Sequence, residues 1–270
     1  MRREPIRDAD AIGFVANRLA RPFTLEALRL MGDRVAPHDQ IDRIVRLGGG
    51  FRMGPFELMD LVGVDVNFEV AKSFWEQSFH EPRWQPHPIQ ARMVAAGRHG
   101  RKAGRGYYDY GGERHRPPDP EPPQRDPAWR RDPAIEGSVQ HFAFPNLDAA
   151  RLVELARDSS LSDGDAQAAE RYFRAAGMHL EWVGQAPGLV LGRILAQIVN
   201  EAHFAVGQGV ASAEDCDTAM RLGFNWPRGP FEWAAALGPR RVVSVLDELR
   251  AELGEERYRV APQLRRAATA

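Results

Sequence analysis

The sequence is poor in cysteine and in net charge. Of its 270 residues only Cys216 is a cysteine, and 36 basic residues nearly balance 37 acidic ones. A single cysteine excludes an intrachain disulfide and a cysteine-based metal cluster, and the eight histidines show no metal-ligand spacing. The balanced charge offers no basic surface for nucleic acid or for an anionic membrane. These absences argue against a metalloprotein, a nucleic-acid-binding protein and a disulfide-rich secreted protein.

Long hydrophobic runs are also missing. The longest apolar stretch, Leu189–Val199, is interrupted by Gly192, Arg193 and Gln197 and is too short to cross a bilayer. The first ten residues, MRREPIRDAD, are charged and precede no apolar run of signal-peptide type. Apolar residues still make up 43% of the chain, which is enough for a globular core. We therefore expect a cytoplasmic protein with no membrane-spanning segment.

A glycine fingerprint for a nucleotide cofactor is absent. The glycine-rich stretches at 48–50, 104–106 and 207–209 neither follow a β-branched strand nor open a helix, so we interpret them as helix caps or turns. The sequence also contains no GxxxxGKS/T, HExxH or GxSxG motif. The residues alone therefore indicate no cofactor-binding or metal-binding motif.

One segment is rich in proline. Seven prolines and many charged residues lie between Gly111 and Ala134. Proline lacks an N–H donor and fixes φ, so this segment is unsuited to a helix or a central strand. It is typical of an extended, exposed linker, and we expect a Pro-rich linker over residues 111–140.

The two sides of this linker resemble each other. A shift of 175 positions aligns Gly13–Gly63 with Gly188–Gly238 without a gap, and 17 of the 51 positions are identical. The identities include the run GPFE, at 54–57 and again at 229–232. Chance would give about three or four identities at ordinary composition. The spacing indicates an internal duplication, which we call copy one (residues 1–110) and copy two (residues 187–270).

Each copy is predicted to be helical, because apolar residues recur every three or four positions. The long first helices are expected at about Ile12–Met31 and Val190–Val206, and their wide apolar stripes predict that the two copies pack face to face. Between linker and copy two, residues 141–186 form a predicted α/β connector. In it Asp148–Ala156 and Asp165–Ala176 are expected to be helical, and His179–Val183 to be a strand.

Three motifs of copy one resemble a known family. They are GFVANRL, IDRIVRLGGGFRMGPFELMDLVGVDV and GRKAGRGYYDY, and copy two repeats the first two in altered form. Together they resemble the C-terminal domain of 3-hydroxyacyl-CoA dehydrogenases, in the tandem layout of some 3-hydroxybutyryl-CoA dehydrogenases. The resemblance covers about 200 residues and implies a mainly α fold: two helical domains like the C-terminal domain of 6-phosphogluconate dehydrogenase, with the small α/β connector between them.

The resemblance also implies a chemistry. Enzymes of this family transfer hydride from C3 of a 3-hydroxyacyl-CoA to NAD, while a histidine held by a glutamate takes the hydroxyl proton. In the family, the dyad and the NAD site lie in an N-terminal Rossmann domain. The resemblance here begins near Ile6, so we expect this chain to lack the dyad and any NAD site. The partners that fit are a separately encoded Rossmann domain, the acyl-CoA substrate and another copy of the chain. Single-copy enzymes of the family dimerise through this domain, and a tandem pair can make the same contact within one chain.

One family site residue maps onto this sequence. The asparagine that contacts the substrate's 3-oxygen corresponds to Asn17, and copy two has Gly192 at this position. The alternative is that Asn17 is solvated or bonds a neighbouring turn. Arg18 and Arg193 recur in both copies, which favours a shared structural ion pair over substrate binding. Glu57 and Glu232 are expected to stabilise helix N-termini.

Two further questions stay open at the level of sequence. The basic cluster Arg101, Lys102 and Arg105 fits either contacts with CoA phosphates or a solvated tail. The whole chain fits either the substrate-side and assembly region of an NAD-dependent dehydrogenase, or a non-catalytic acyl-CoA-binding or scaffold module, or a gene fragment.

Overall fold

The fold was analysed in a computed structural model, which describes residues 12–143, 151–157 and 160–269. This part of the chain is mostly helical, with one small sheet. The helices of copy one are α1 (Phe14–Gly32), α2 (His38–Gly49), α3 (Pro55–Val62), α4 (Val64–Gln77) and α5 (Pro88–Ala95). The connector region contains α6 (Pro133–Gly137), β1 (Gln140–Phe142), β2 (Leu152–Ala156), α7 (Asp163–Ala175) and β3 (His179–Val183). Copy two contains α8 (Leu191–Gly207), α9 (Ala213–Thr218), α10 (Pro230–Leu237), α11 (Pro239–Leu253) and α12 (Pro262–Thr269).

The two copies share one helix order. Helices α1 to α5 correspond in sequence to α8 to α12, and Gly54 and Gly229 adopt nearly the same backbone angles before α3 and α10. In both copies proline occupies the first position of this helix, and a glutamate side chain, Glu57 or Glu232, accepts from the N-cap N–H. The expected stabilising role of these glutamates is therefore confirmed, since they satisfy a donor that the helix itself leaves free.

Helices α1 and α8 pack against each other, as the apolar stripes predict, and most of the residues of both are buried. Their apolar side chains belong to one core that both copies share. The two long helices therefore form the centre of the molecule.

Two buried ion pairs cross this interface. Arg18 Nε of copy one donates to Glu201 Oε1 of copy two at 2.6 Å, and Arg193 Nε of copy two donates to Glu26 Oε2 of copy one at 2.8 Å. All four residues are at least nine-tenths buried. Burial would raise the pKa of Glu26, but Arg29 and Arg193 outweigh it and hold the pKa below its ordinary value. The recurrence of Arg18 and Arg193 thus reflects a structural ion pair made twice.

The connector differs from its sequence-based prediction at β1, which was not predicted, and at β2. Leu152–Ala156 forms strand β2 rather than a helix, so this prediction is wrong; Asp148 to Ala150 lie outside the described residues. β2 is the central strand, antiparallel to β1 and parallel to β3, and all five of its residues are buried. A short run buried on both faces shows no alternation, and periodicity alone does not separate it from a buried helix. The predicted helix and strand that follow are confirmed as α7 and β3.

Glu154 in the middle of β2 holds the start of α8. Its carboxylate accepts from the backbone N–H groups of Val190 at 2.7 Å and Leu191 at 3.0 Å. The side chain is fully buried, and burial raises the pKa of Glu154 to about 8, against the opposing effect of the two N–H donors. The connector sheet is therefore attached directly to the first turn of copy two.

The proline-rich segment contacts copy one. It contains no helix or strand over residues 111–132 and is mostly exposed, as expected of a linker. Asp119 nevertheless accepts two hydrogen bonds from Arg46, at 2.9 and 3.2 Å, and Arg116 Nε donates to Glu57 at 2.7 Å. The same Arg46 pairs with Glu57 at 2.9 Å. Residues 115–119 therefore form a strap over the N-terminus of α3.

The rest of the predicted linker, residues 133–140, is not an extended linker, because it contains α6 and the first residue of β1. Pro133 is compatible with α6, since it occupies the first position of that helix, where no N–H donor is needed.

The crossed ion pairs generate a stability prediction. In Glu201→Gln, Arg18 and Arg83 lose their shared carboxylate inside the protein, and we expect the free energy of unfolding to fall by about 3–5 kcal/mol. Glu69→Gln, which removes the exposed pair with Lys72, should cost less than about 1 kcal/mol. Urea unfolding measures both. Equal losses in the two variants would show that the crossed pairs do not hold the copies together.

The strap generates a second prediction. Removing the charge in Asp119→Asn weakens the hydrogen bonds to Arg46, and we expect trypsin to cleave after Arg114 about fivefold faster, because the strap is released more often. Glu121→Gln, an exposed change in the same segment, should leave the rate unaltered. Indistinguishable cleavage rates in the two variants would mean that residues 115–119 do not restrain the segment.

Glu154 generates a third prediction, on pH. A glutamate in the unfolded chain has a pKa of about 4.3, whereas burial raises the pKa of Glu154 to about 8 in the folded chain. The folded state therefore keeps a proton that the unfolded state releases. Its contribution to stability is present below pH 4 and is lost as the pH rises to 8, at up to about 1.4 kcal/mol per pH unit.

The variant Glu154→Gln should lack this component, so its free energy of unfolding should fall less steeply between pH 4 and 8 than that of the parent. The exposed Glu252→Gln should retain the parent's slope. Parallel pH profiles for the parent and Glu154→Gln would contradict the assignment.

Candidate functional site

The backbone turn that leads into α1 has the same conformation as the turn that leads into α8. Gly13 and Gly188 both have φ of 73°, and the residues after them, Phe14 and Leu189, have φ of 49° and 50°. Only a residue without Cβ fits at Gly13, because a Cβ there would lie 1.9 Å from the ring of Phe74 in α4. The two copies therefore present corresponding side chains in the same directions at this turn.

Asn17 lies on the exposed side of this turn. Its backbone oxygen accepts from Arg21 Nε at 3.3 Å, whereas its carboxamide has no hydrogen-bond partner among the described residues. Phe14, one turn earlier, is 61% exposed although it is a large apolar side chain. A large apolar side chain left in water, as Phe14 is, is typical of a surface that another group covers.

The corresponding turn of copy two is covered. Leu189 is 1% exposed, and Phe142 of β1 lies over Gly192, where a Cβ would come within 2.5 Å of the ring. The guanidinium of Arg241 in α11 stacks on the same ring at 4.6 Å from its centroid. The connector sheet thus covers the surface of copy two that corresponds to the surface around Asn17 in copy one.

The positions that match this covered surface are open in copy one. Val62 is 48% exposed, whereas its counterpart in copy two, Leu237, is 8% exposed. Val66 is 44% exposed, whereas its counterpart Arg241, also an exposed residue, stacks its guanidinium on Phe142. We call the set of Phe14, Asn17, Val62 and Val66 the open face. Sequence reasoning identified Asn17 but missed the three exposed apolar members of this set, which single-residue patterns do not mark.

An aspartate carboxylate supports the GPFE helix in each copy, fully buried in copy one and half-buried in copy two. Asp42 accepts from the N–H groups of Phe56 at 2.9 Å and Glu57 at 2.8 Å, and from the Tyr108 hydroxyl at 2.8 Å. In copy two, Asp217 accepts from Phe231 N–H at 2.7 Å. Burial raises the pKa of Asp42 to about 7. Asp42 and Asp217 are identical between the copies, and this identity is the feature of the sequence that marks them. Their role is to cap a helix.

Of the other candidate groups, the basic cluster lies beside Val62 and Val66 of the open face, and Cys216 lies in copy two. Lys102 pairs with Asp65 at 2.7 Å, and the basic cluster around it is exposed. Cys216 is buried, and burial raises its pKa to about 12. Within the described ranges no group of three or more His, Cys, Asp or Glu side chains could hold a metal ion, and no helix has both the length and the apolar character needed to cross a membrane.

Comparisons with known proteins agree with this duplicated architecture. The family model of the 3-hydroxyacyl-CoA dehydrogenase C-terminal domain matches residues 13–110 and 188–270. A 3-hydroxyadipyl-CoA dehydrogenase of Escherichia coli K12 is 36% identical over 290 aligned residues, which cover 98% of this chain and 61% of the relative. The mitochondrial hydroxyacyl-coenzyme A dehydrogenase of Sus scrofa is 38% identical over 108 residues, 40% of this chain and 34% of the relative.

Solved structures give the same result. The crystal structure of a 3-hydroxybutyryl-CoA dehydrogenase from Escherichia coli K12 matches with a TM-score of 0.88 at 34% identity, over 98% of this chain and 61% of that chain. The chain spans about three fifths of the length of these Escherichia coli proteins. With two thirds of its residues inside the matched ranges, the chain belongs to the 3-hydroxyacyl-CoA dehydrogenase family, through the C-terminal domain of that family.

Proposed function

We propose that this chain is the substrate-side and assembly region of an NAD-dependent 3-hydroxyacyl-CoA dehydrogenase, and that a Rossmann NAD-binding domain covers its open face. The observation that carries the proposal is the difference between the copies at one turn. The same backbone is closed by a β-sheet in copy two and left exposed, with Asn17 on it, in copy one.

Copy two indicates what kind of structure fits copy one. There the covering element is an α/β unit, with β1 placing an aromatic ring on the face and β2 placing a carboxylate on the helix start. Covering Phe14, Val62 and Val66 in the same way would remove apolar side chains from water, which is favourable in proportion to the area buried. An α/β domain is therefore the partner whose architecture matches the open face.

The proposed role of Asn17 is to hold the substrate's 3-oxygen. A carboxamide can donate to a ketone oxygen and accept from a hydroxyl, so one side chain serves both substrate and product. Bound NAD supplies the hydride acceptor, and the covering domain supplies the histidine and glutamate that the family uses. Copy two has no side chain at Gly192, and its role in the proposal is structural.

The connector is a poor match for NAD itself. Its β2–α7–β3 unit has the strand–helix–strand order of nucleotide-binding folds, in which a pyrophosphate sits at the helix N-terminus. The first turn of α7, however, carries Asp163 and Asp165. Two acidic side chains at this place repel a pyrophosphate, so we place the NAD site in the covering domain.

The domain limits of the proposal are those of the duplication: copy one at 1–110, copy two at 187–270, and the linker and connector between them. The Escherichia coli relatives are described as acting on 3-hydroxyadipyl-CoA and 3-hydroxybutyryl-CoA. Both are 3-hydroxyacyl thioesters of CoA, and this shared class is the proposed substrate.

The experiment joins a Rossmann NAD-binding domain of the same family ahead of residue 12 and measures NADH formation from 3-hydroxyacyl-CoA. The chain without that domain should be inactive. In the joined protein, Asn17→Ala should lower kcat/KM by a factor of about 30 to 800, because losing one hydrogen bond to an oxygen that changes charge costs about 2–4 kcal/mol.

The matched control is Gln167→Ala, which removes an exposed carboxamide on α7 and should leave kcat/KM unchanged. Gly192→Ala is unsuitable as a control, because the new Cβ would meet the Phe142 ring. An Asn17→Ala protein within threefold of the parent would show that Asn17 does not contact the substrate. A joined protein that binds acyl-CoA but forms no NADH would favour the non-catalytic binding module.

A further inference from the structure

Arg21 is unusual among the buried arginines. Six arginines of the described residues are at least nine-tenths buried, and five of them form an ion pair with a carboxylate: Arg18 and Arg83 with Glu201, Arg29 and Arg193 with Glu26, and Arg46 with Glu57. Arg21 is only 6% exposed, and no carboxylate of the described residues pairs with it. Its Nη1 has no hydrogen-bond partner.

The guanidinium of Arg21 lies at the Asn17 end of α1. Its Nε donates to the backbone oxygen of Asn17 at 3.3 Å, so the side chain runs back toward the helix start. It also stacks on Phe74 at 5.7 Å from the ring centroid, and Phe74 is the ring that packs against Gly13. Asn17 and Arg21 are therefore neighbours on one side of α1, one helical turn apart.

Copy two has no equivalent of this arginine. The corresponding position is Ala196, which is buried in α8. Gly192 and Ala196 thus replace Asn17 and Arg21, although the surrounding framework is the same. The two polar side chains of this stripe are present only in the copy whose face is open.

An unpaired buried guanidinium is costly for the fold. Burial lowers the pKa of Arg21 to about 10, and no neighbouring charge offsets this effect. The side chain remains charged at neutral pH, so its desolvation is not compensated inside the described protein. A group with this cost and with donors left free is suited to bind an anion from outside, and a guanidinium matches a carboxylate through two parallel hydrogen bonds.

We propose that Arg21 binds a second carboxylate at the far end of the substrate's acyl chain, so that the preferred substrates are 3-hydroxyacyl-CoA esters of dicarboxylic acids. The inference rests on the proposed function, because it takes Asn17 as the contact of the 3-oxygen. One helical turn, about 5.4 Å, then separates the two contacts. A few methylene groups beyond C3 span this distance, whereas the CoA phosphates lie beyond the long pantetheine arm on the other side of C3.

The experiment measures the affinity of the purified chain for 3-hydroxyadipyl-CoA and 3-hydroxybutyryl-CoA by NMR titration, with CoA alone as a third probe. The parent should bind the dicarboxylic ester about tenfold or more tightly, which corresponds to one charge-assisted hydrogen-bond pair. Arg21→Met should abolish this preference and retain the affinity for 3-hydroxybutyryl-CoA. Arg171→Met, which removes an exposed arginine on α7, should keep the preference.

Thermal unfolding without ligand gives an independent readout. Arg21→Met should have a Tm equal to or higher than that of the parent, because an apolar side chain of similar length replaces an unpaired buried charge. A Tm lower by several degrees, or failure of Arg21→Met and of Arg21→Lys to fold, would show that the arginine is structural and overturn the inference.

The binding data distinguish failure of the role of Arg21 from failure of the proposed function. Equal affinity of the parent for the two esters, with both bound more tightly than CoA, would overturn the role of Arg21 and leave the proposed function standing. If neither ester binds more tightly than CoA, the proposed function fails, and the role of Arg21 fails with it.

Discussion

The packing of copy one against copy two depends on two carboxylates buried between the long helices. Glu26 of copy one and Glu201 of copy two each accept from an arginine of the other copy, and each also binds a second arginine, Arg29 or Arg83. Leaving a charge this deep in the protein without a partner costs several kcal/mol, and pairing with good geometry offsets that cost. Because each carboxylate is bound by at least one arginine of the other copy, the pairs fix how α1 and α8 face each other.

The paired helices α1 and α8 are nearly symmetric, but the surfaces at their N-terminal ends differ. At the start of α8 the connector sheet supplies Glu154 and Phe142, and the first turn of copy two is closed. At the start of α1 the same backbone leaves Asn17 and Phe14 exposed. The different roles proposed for the two copies follow from this contrast. Copy one keeps the polar side chains proposed to contact a substrate, and copy two provides the stable surface against which copy one packs.

Much of this could be predicted from the sequence, because duplication and helical periodicity are local patterns. The GPFE repeat and the recurring Arg18 and Arg193 indicated the helices and the ion pairs before any contact was known. Strand β2 was missed because its five residues are buried on both faces of the sheet, so apolar and polar residues do not alternate along it. Arg21 was missed because it stands out only by having no carboxylate partner in the folded protein. A single sequence does not show which charged side chains remain without a partner.

The most direct test of the account is hydrogen–deuterium exchange of the chain with and without an added NAD-binding domain of the family. The account predicts slower exchange over residues 14–21 and 62–66 when the domain is present, because these segments carry the open face. Exchange over residues 189–196 should be unchanged, since the connector already covers them. Protection of 189–196 alone, or no protection of 14–21, would contradict the claim that copy one is the surface on which the active site is assembled.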